Sequence, residues 1–112
     1  MQKTYREIYG LTLKNGGFSQ VEGKRFMVGT PIEERVFKLD NFYPQDVKQY
    51  VEDVKEHLSD NVGVGTWVNE NDGQVYLDVS IGFNDKEQAI AQAKEWWQLA
   101  IYDTFLGKTI NI

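Results

Sequence analysis

Hydrophobic and polar residues alternate along residues 62–83, and this period of two predicts β-strands. Asp72-Gly73 interrupts the segment with a pair that favours a tight turn, so we expect a hairpin of two antiparallel strands. One face of this hairpin is apolar, and the other carries Trp67, Tyr76 and Asp78. The apolar face of the second strand consists of Val75, Leu77, Val79, Ile81 and Phe83.

The N-terminal segment, residues 4–14, also predicts a strand, because Tyr5, Tyr9, Leu11 and Leu13 would lie on one side of its pleat. The Asn15-Gly16-Gly17 sequence that follows favours a hairpin turn, since Asn and Gly accept positive φ angles. We therefore expect a short return strand around Phe18.

Further strands are expected in the middle and at the end of the chain. Residues 24–30 and 34–40 predict two strands joined through Pro31, which presets φ for a turn. The sequences LAIYD and GKTINI predict a C-terminal hairpin around Leu106-Gly107.

Two segments have the period of an α-helix. Residues 43–60 begin with Pro44, which suits the first helical position, and carry an apolar stripe. That stripe consists of Val47, Tyr50, Val51, Val54 and Leu58. Asp85 is typical of a helix N-cap and predicts a second helix from Lys86 to about Gln98.

The adjacent residues Trp96 and Trp97 fall at the end of this second helix. Advancing about 100° per residue places both within one apolar arc, together with Ala93 and Ile90. Trp97 lies closer to the middle of the arc, and Trp96 lies at its edge beside Ala89. We therefore predict that Trp97 anchors the core and that Trp96 is the more exposed ring.

These elements predict one α+β domain, residues 1–112, in which an antiparallel sheet of hairpins carries two helices on one face. A composition of 41% hydrophobic and 26% charged residues is typical of soluble globular proteins. The chain has no cysteine, no apolar run of membrane-spanning length and no apolar N-terminal stretch typical of a signal peptide. We expect a cytoplasmic protein.

The net charge of −5 is distributed unevenly. Residues 1–38 carry seven basic and four acidic side chains, whereas residues 39–112 carry five basic and thirteen acidic ones, a net charge of −8. An acidic surface repels the phosphate backbone and argues against nucleic-acid binding. It would attract a basic protein partner, such as a site that normally holds nucleic acid, or it serves only solubility.

The sequence contains no recognisable catalytic set. His57 is the only histidine, which excludes paired-histidine zinc motifs and fits a position near a helix C-terminus. Gly63-Val64-Gly65 is not followed by a helix, so it lacks the context of a phosphate-binding loop. No catalytic residue, metal or cofactor is predicted.

Aromatic and acidic residues are interspersed in the second half of the chain, as on many protein-binding surfaces. Without Lys or Arg between the rings, such a surface suits a protein better than a nucleic acid. The alternative is that the rings form the core. The candidate partner-binding residues are Trp67, Tyr76, Asp78, Trp96, Tyr102, Asp103 and Phe105.

Four motifs in this half resemble a group of small, uncharacterised acidic proteins from phages and mobile elements of Gram-positive bacteria. They are G-x-W-hydrophobic, VYLDVS, D-K-E-x-A and Q-L-A-I-Y/F-D, at Gly65–Val68, Val75–Ser80, Asp85–Ala89 and Gln98–Asp103. The group has no settled activity, so the resemblance implies an origin and no catalytic residues. Its members have polar residues where this chain has Trp96-Trp97.

These observations favour a non-enzymatic binding protein that occludes a partner, such as a host defence factor of the CRISPR nuclease type. One alternative is a small hydrolase or ligand-binding protein with a pocket around Asp78, Asp103 and the tryptophans. Another is a structural homodimer closed by an exposed strand edge.

Overall fold

The order of helices and strands follows from a computed structural model that describes residues 3–112. Within these residues there are three α-helices and seven strands. The helices are α1 (Tyr5–Asn15), α2 (Pro44–Val54) and α3 (Lys86–Glu95). The strands are β1 (Gly17–Ser19), β2 (Phe26–Gly29), β3 (Arg35–Lys38), β4 (Val62–Asn69), β5 (Gln74–Phe83), β6 (Ala100–Asp103) and β7 (Lys108–Asn111). Short 3-10 turns occupy Leu39–Asn41 and Lys55–His57.

The β4–β5 hairpin is the centre of the sheet, and its prediction from the alternating pattern is confirmed. The strand order is β1-β4-β5-β2-β6-β7, with every pairing antiparallel. Strand β3 pairs with the first half of β5, and β2 pairs with its second half. The sheet curls into a half-barrel, in which β1 and β7 are the end strands.

All three helices pack on the apolar face of this curled sheet, where they cover two adjoining clusters of side chains. Helices α1 and α2 cover the first cluster, which includes Ile8, Tyr50 and Leu77. Helix α3 covers the second cluster, which includes Phe26, Ala93 and Ile101. The α+β class is therefore confirmed, but the structure has three helices where two were predicted.

Helix α1 replaces the strand predicted for residues 4–14. The Thr4 hydroxyl accepts a hydrogen bond from the Glu7 backbone N–H, and the Glu7 carboxylate accepts one from the Thr4 N–H. This capping box starts a helix, which buries Ile8 and Thr12 four residues apart. Gly16, with φ of 82°, ends it, so the glycine pair after Asn15 is a helix cap and not a hairpin turn. The return strand around Phe18 is β1.

Helix α2 begins at Pro44 as predicted and ends at Val54, after which the chain tightens into a 3-10 turn. Its buried Tyr50 donates a hydrogen bond from the phenol to the Glu33 carbonyl at 2.5 Å. In the part of the chain that the structure describes, no helix has both the length and the apolar character needed to cross a membrane.

Candidate partner-binding surface

The end of helix α3 determines where the two adjacent tryptophans point. The helix ends at Glu95, and Trp96 is its C-cap. The Trp97 N–H donates to the Lys94 carbonyl at 3.2 Å, and the Gln98 N–H donates to the Ala93 carbonyl at 2.8 Å. This pair of bonds is the Schellman arrangement, in which the residue after the cap adopts a left-handed conformation. Trp97 occupies that position with φ of 58°.

The predicted roles of the two tryptophans are therefore wrong and must be exchanged. Trp97 is 90% exposed, whereas Trp96 is half-buried against the second cluster, which includes Phe26 and Ala93. The prediction extended the helix to Gln98, and the 100° step between neighbours applies only inside a helix. Glycine usually occupies the left-handed position at a helix end. Because a tryptophan occupies it here, the sequence carried no signal that the helix ends before Trp97.

Other large apolar side chains are exposed along the β6–β7 hairpin. Leu99 is 82% exposed, Phe105 76%, Leu106 60% and Tyr102 44%. Leu99 precedes β6, whereas Phe105 and Leu106 lie in the turn between β6 and β7. We call Trp97, Leu99, Tyr102, Phe105 and Leu106 the hairpin surface. Tyr102 and Phe105 were predicted site residues; Trp97, Leu99 and Leu106 were not.

Asp103 supports the turn of this hairpin from inside the protein. Its side chain is only 1% exposed, and Arg25 donates to it in bidentate fashion at 3.1 and 2.9 Å. The Phe105 and Leu106 N–H groups also donate to it, at 3.0 and 3.3 Å. The Arg25 hydrogen bonds hold the pKa of Asp103 below its ordinary value. Asp103 therefore positions Phe105 and Leu106, and an exposed role for it is wrong.

Arg25 also connects the turn to the sheet through its guanidinium group. The guanidinium carbon lies 5.0 Å from the ring centroids of both Phe26 and Phe105. This cation–π geometry holds Phe105 at the surface beside a fixed positive charge.

The remaining predicted residues lie on the opposite face of the sheet, which no helix covers and which we call the outer face. Trp67 and Tyr76 are cross-strand partners whose rings stack with centroids 4.5 Å apart. The Tyr76 hydroxyl donates a hydrogen bond to the Asp72 carboxylate. Asp78 is the next residue along β5 on this face, paired with Gly65 of β4.

The Asp78 carboxylate is half-buried and lies in an unusual electrostatic environment. Burial raises its pKa to about 6, and the nearby charge of Glu34 adds to the rise. The Ser80 hydroxyl donates a hydrogen bond to it at 3.3 Å. None of the ion pairs formed among residues 3–112 includes Asp78.

The predicted candidates thus separate into two groups, with Trp96 in the core. Trp67, Tyr76 and Asp78 share the outer face, whereas Tyr102 and Phe105 belong to the hairpin surface. Tyr102 points to the same side of the sheet as Asp78, because its partner Met27 pairs with Gly82, but it lies two strands away. Asp103 is on the helix-bearing face, because its partner Phe26 packs in the second cluster. The two carboxylates Asp78 and Asp103 therefore do not converge, and a pocket built on both is not formed.

Side chains that commonly carry catalysis or bind metals do not gather into a site in the described part of the chain. His57 is exposed in a 3-10 turn, with its Nε2 atom 3.5 Å from the Glu56 carboxylate. Among residues 3–112, no group of three or more His, Asp or Glu side chains is placed to hold a metal ion.

Comparisons with known proteins found no matching family model, no matching curated protein and no matching solved structure. The resemblance to phage and mobile-element proteins therefore stays a prediction from the sequence.

Proposed function

We propose that the protein is a non-enzymatic binding protein that contacts another protein through the hairpin surface, with Trp97 as the main anchor. The observation that carries this proposal is the conformation of Trp97, which combines a left-handed backbone with a side chain that is 90% exposed. Tryptophan is among the residues most enriched at the energetic centres of protein interfaces.

The backbone conformation of Trp97 lowers the stability of the fold, and no contact of its side chain within residues 3–112 compensates for this cost. A left-handed non-glycine residue costs about 1–3 kcal/mol. A ring that is 90% exposed recovers little of this by packing. Glycine would hold the same helix end without the cost. The position of a tryptophan here is therefore better explained by contact with a partner than by folding.

The chemistry of the partner is proposed from the charge of the chain. Residues 39–112 have a net charge of −8, which favours encounter with a basic surface. A nucleic-acid-binding site of another protein has that charge. We propose that this protein, of phage or mobile-element origin, occludes such a site on a host defence protein, as an anti-CRISPR inhibitor would.

Affinity capture with three matched baits tests this proposal. The baits are the wild type, Trp97→Gly and Leu13→Ala, which shortens an exposed apolar residue of α1 outside the hairpin surface. We expect one basic protein from a Gram-positive bacterial lysate to bind the wild type and Leu13→Ala in stoichiometric amounts. Loss of an interface anchor worth 2 kcal/mol or more would weaken binding of Trp97→Gly by about 30-fold.

Two results would overturn the proposal. One is a partner that binds all three baits equally, since Trp97 would then contribute nothing to docking. The other is self-association: if sedimentation shows a wild-type dimer that Trp97→Gly dissociates, a second copy of the chain occupies the hairpin surface. Strand β7, which pairs only with β6 among the described residues, would be the edge for such a dimer.

A further inference from the structure

The outer face contains a small niche around Asp78, made by the absence of side chains on both neighbouring strands. On β4, a Cβ atom added to Gly65 would lie 2.8 Å from the Asp78 Oδ1 atom. On β2, a Cβ atom added to Gly29 would lie 3.7 Å from the Asp78 Oδ2 atom. The carboxylate thus occupies space that a side chain at position 65 would fill, and it remains partly exposed on the outer face.

The carboxylate of Asp78 has unused capacity to accept hydrogen bonds. An ionised carboxylate offers about four lone-pair sites. The Ser80 hydroxyl, at 3.3 Å, is the donor that approaches it from a side chain. Since the ion pairs of residues 3–112 leave Asp78 out, its charge lacks a basic partner within the described chain. A half-buried charge in this state favours an incoming cation.

Aromatic and polar groups border the niche on two sides. The Trp67–Tyr76 stack is the next cross-strand pair on the same face, about 7 Å along the strands. On the side of β2, the Gln98 Nε2 atom lies 3.5 Å from the Cβ position of Gly29. One border is therefore aromatic, and the other carries the side-chain amide of Gln98.

The charges around the niche favour a cation at its centre. Glu34 is close enough to raise the pKa of Asp78, so its carboxylate adds negative potential there. The basic side chains on this face lie towards its two ends: Lys24 packs over Gly82, and Lys38 is paired with Gln74.

We propose that this niche binds the guanidinium group of an arginine side chain from a protein partner. Asp78 would accept two N–H bonds from the planar group, while the exposed ring of the Trp67–Tyr76 stack would cover its face. Arginine fits better than lysine, because a guanidinium combines bidentate pairing with stacking on an aromatic ring, and an ammonium does not. The raised pKa of Asp78, about 6, supports this, since a bound cation would offset the cost of its buried charge.

An NMR titration of the full chain with two matched peptides tests the niche directly. One is an acetylated and amidated Gly-Arg-Gly peptide, and the other has citrulline, a neutral isostere, in place of arginine. At pH 7.5 we expect saturable shifts of the Gly29, Gly65 and Asp78 amides with the arginine peptide. The Kd should be on the order of 1–10 mM, since one side chain makes all the contacts. The citrulline peptide should bind at least 10-fold more weakly, because it lacks the charge-assisted pair.

Variants of two aspartates complete the test. Asp78→Asn keeps the shape of the side chain and should abolish saturable binding, whereas Asp60→Asn, at an exposed position in another part of the chain, should leave it unchanged. Equal binding of both peptides, a lack of saturable shifts, or full binding by a folded Asp78→Asn variant would each overturn the proposal. The peptide probes the outer face alone, so its failure would leave docking through Trp97 unaffected.

Discussion

At the scale of single residues, the contrast between Trp96 and Trp97 shows how a helix end assigns adjacent side chains to opposite environments. Trp96 is the C-cap and still packs on the second cluster, where Ile101 and Ala93 are buried. One residue later, the left-handed turn directs Trp97 into solvent. The two residues are identical, so only the position of the helix C-cap determines which ring is buried and which is exposed.

The first prediction concerns the buried partner of this pair. Truncating a fully buried tryptophan typically costs about 3–5 kcal/mol, so we expect Trp96→Ala, at a half-buried position, to cost about 2–3 kcal/mol. Thermal unfolding followed by circular dichroism should show a fall in Tm of about 10 °C. A loss of less than about 2 °C would show that Trp96 does not contribute to the second cluster.

The two candidate carboxylates, Asp103 and Asp78, also lie in opposite environments, and their pKa values shift in opposite directions. The pKa of Asp103 is lowered by the Arg25 hydrogen bonds, whereas that of Asp78 is raised to about 6 by burial. Asp103 therefore adds stability that is lost as pH falls through its lowered pKa. For Asp78 the sign is reversed: its protonated form favours the folded state, so its contribution to stability falls as pH rises from 3.8 to about 6.

The second prediction follows from this difference in sign. Asp78→Asn removes the ionisable group, so the variant should be more stable than the wild type at neutral pH. Allowing for partial exposure, we expect a gain of about 1–2 kcal/mol at pH 7, shrinking towards pH 4. Urea unfolding at several pH values measures the gap. If the gap is the same at pH 4.5 and pH 7.5, Asp78 has no raised pKa in the folded protein.

At the scale of elements, strong and unmixed periodicity made the fold predictable. The β4–β5 hairpin and helix α2 each follow one period, and both were predicted, although α2 ends at Val54 and not near residue 60. Residues 4–14 carry two periods at once, because Tyr5, Tyr9 and Leu13 fit a strand as well as a helix. The deciding signal was the capping box of Thr4 and Glu7, a local hydrogen-bond pattern that hydrophobic periodicity alone does not contain.

The third prediction tests how α1 is attached to the sheet. The Thr12 hydroxyl lies 2.5 Å from the Thr66 hydroxyl of β4, and both residues are buried. Thr12→Val alone leaves the buried Thr66 hydroxyl without this partner and should cost about 1–3 kcal/mol. Thr66→Val should cost less, because the Thr12 hydroxyl still donates to the Ile8 carbonyl at 2.7 Å. The double variant should recover most of that loss, as measured by a double-mutant cycle in urea. Simple additivity of the two losses would show that the hydroxyls do not interact.

At the scale of the whole molecule, the helices cover one face of the curled sheet, and residues 20–24 cover one end of the other. Two surfaces remain exposed. The hairpin surface extends from the end of α3 through β6 to the turn before β7, and the outer face carries the Asp78 niche. The sequence predicted residues on both surfaces, because aromatic and acidic side chains are concentrated in this half. It did not predict that Tyr102 and Phe105 lie in another part of the sheet from Asp78, since this depends on strand order, with β2 inserted between β5 and β6.

The fourth prediction concerns how the molecule meets its partner. If the net charge of −8 on residues 39–112 steers a basic protein, the association rate should fall as salt rises. Between about 0.05 and 0.5 M salt, where the Debye length shortens from above to below about 10 Å, we expect at least a 10-fold decrease in stopped-flow measurements. Trp97→Gly should act mainly on the dissociation rate. An association rate that does not change with salt would show that the negative charge does not steer the partner and serves only solubility.

The account depends most on Trp97 being displayed at a cost to the fold, and the melting temperature of Trp97→Gly tests this most directly. Glycine accepts φ of 58° freely, and the exposed ring gives up little packing when it is removed. The greater freedom of glycine in the unfolded chain offsets part of the gain. We therefore predict a Tm that is unchanged or raised by up to about 4 °C. A fall of more than about 4 °C would show that Trp97 serves the fold, and would contradict its role as an anchor for a partner.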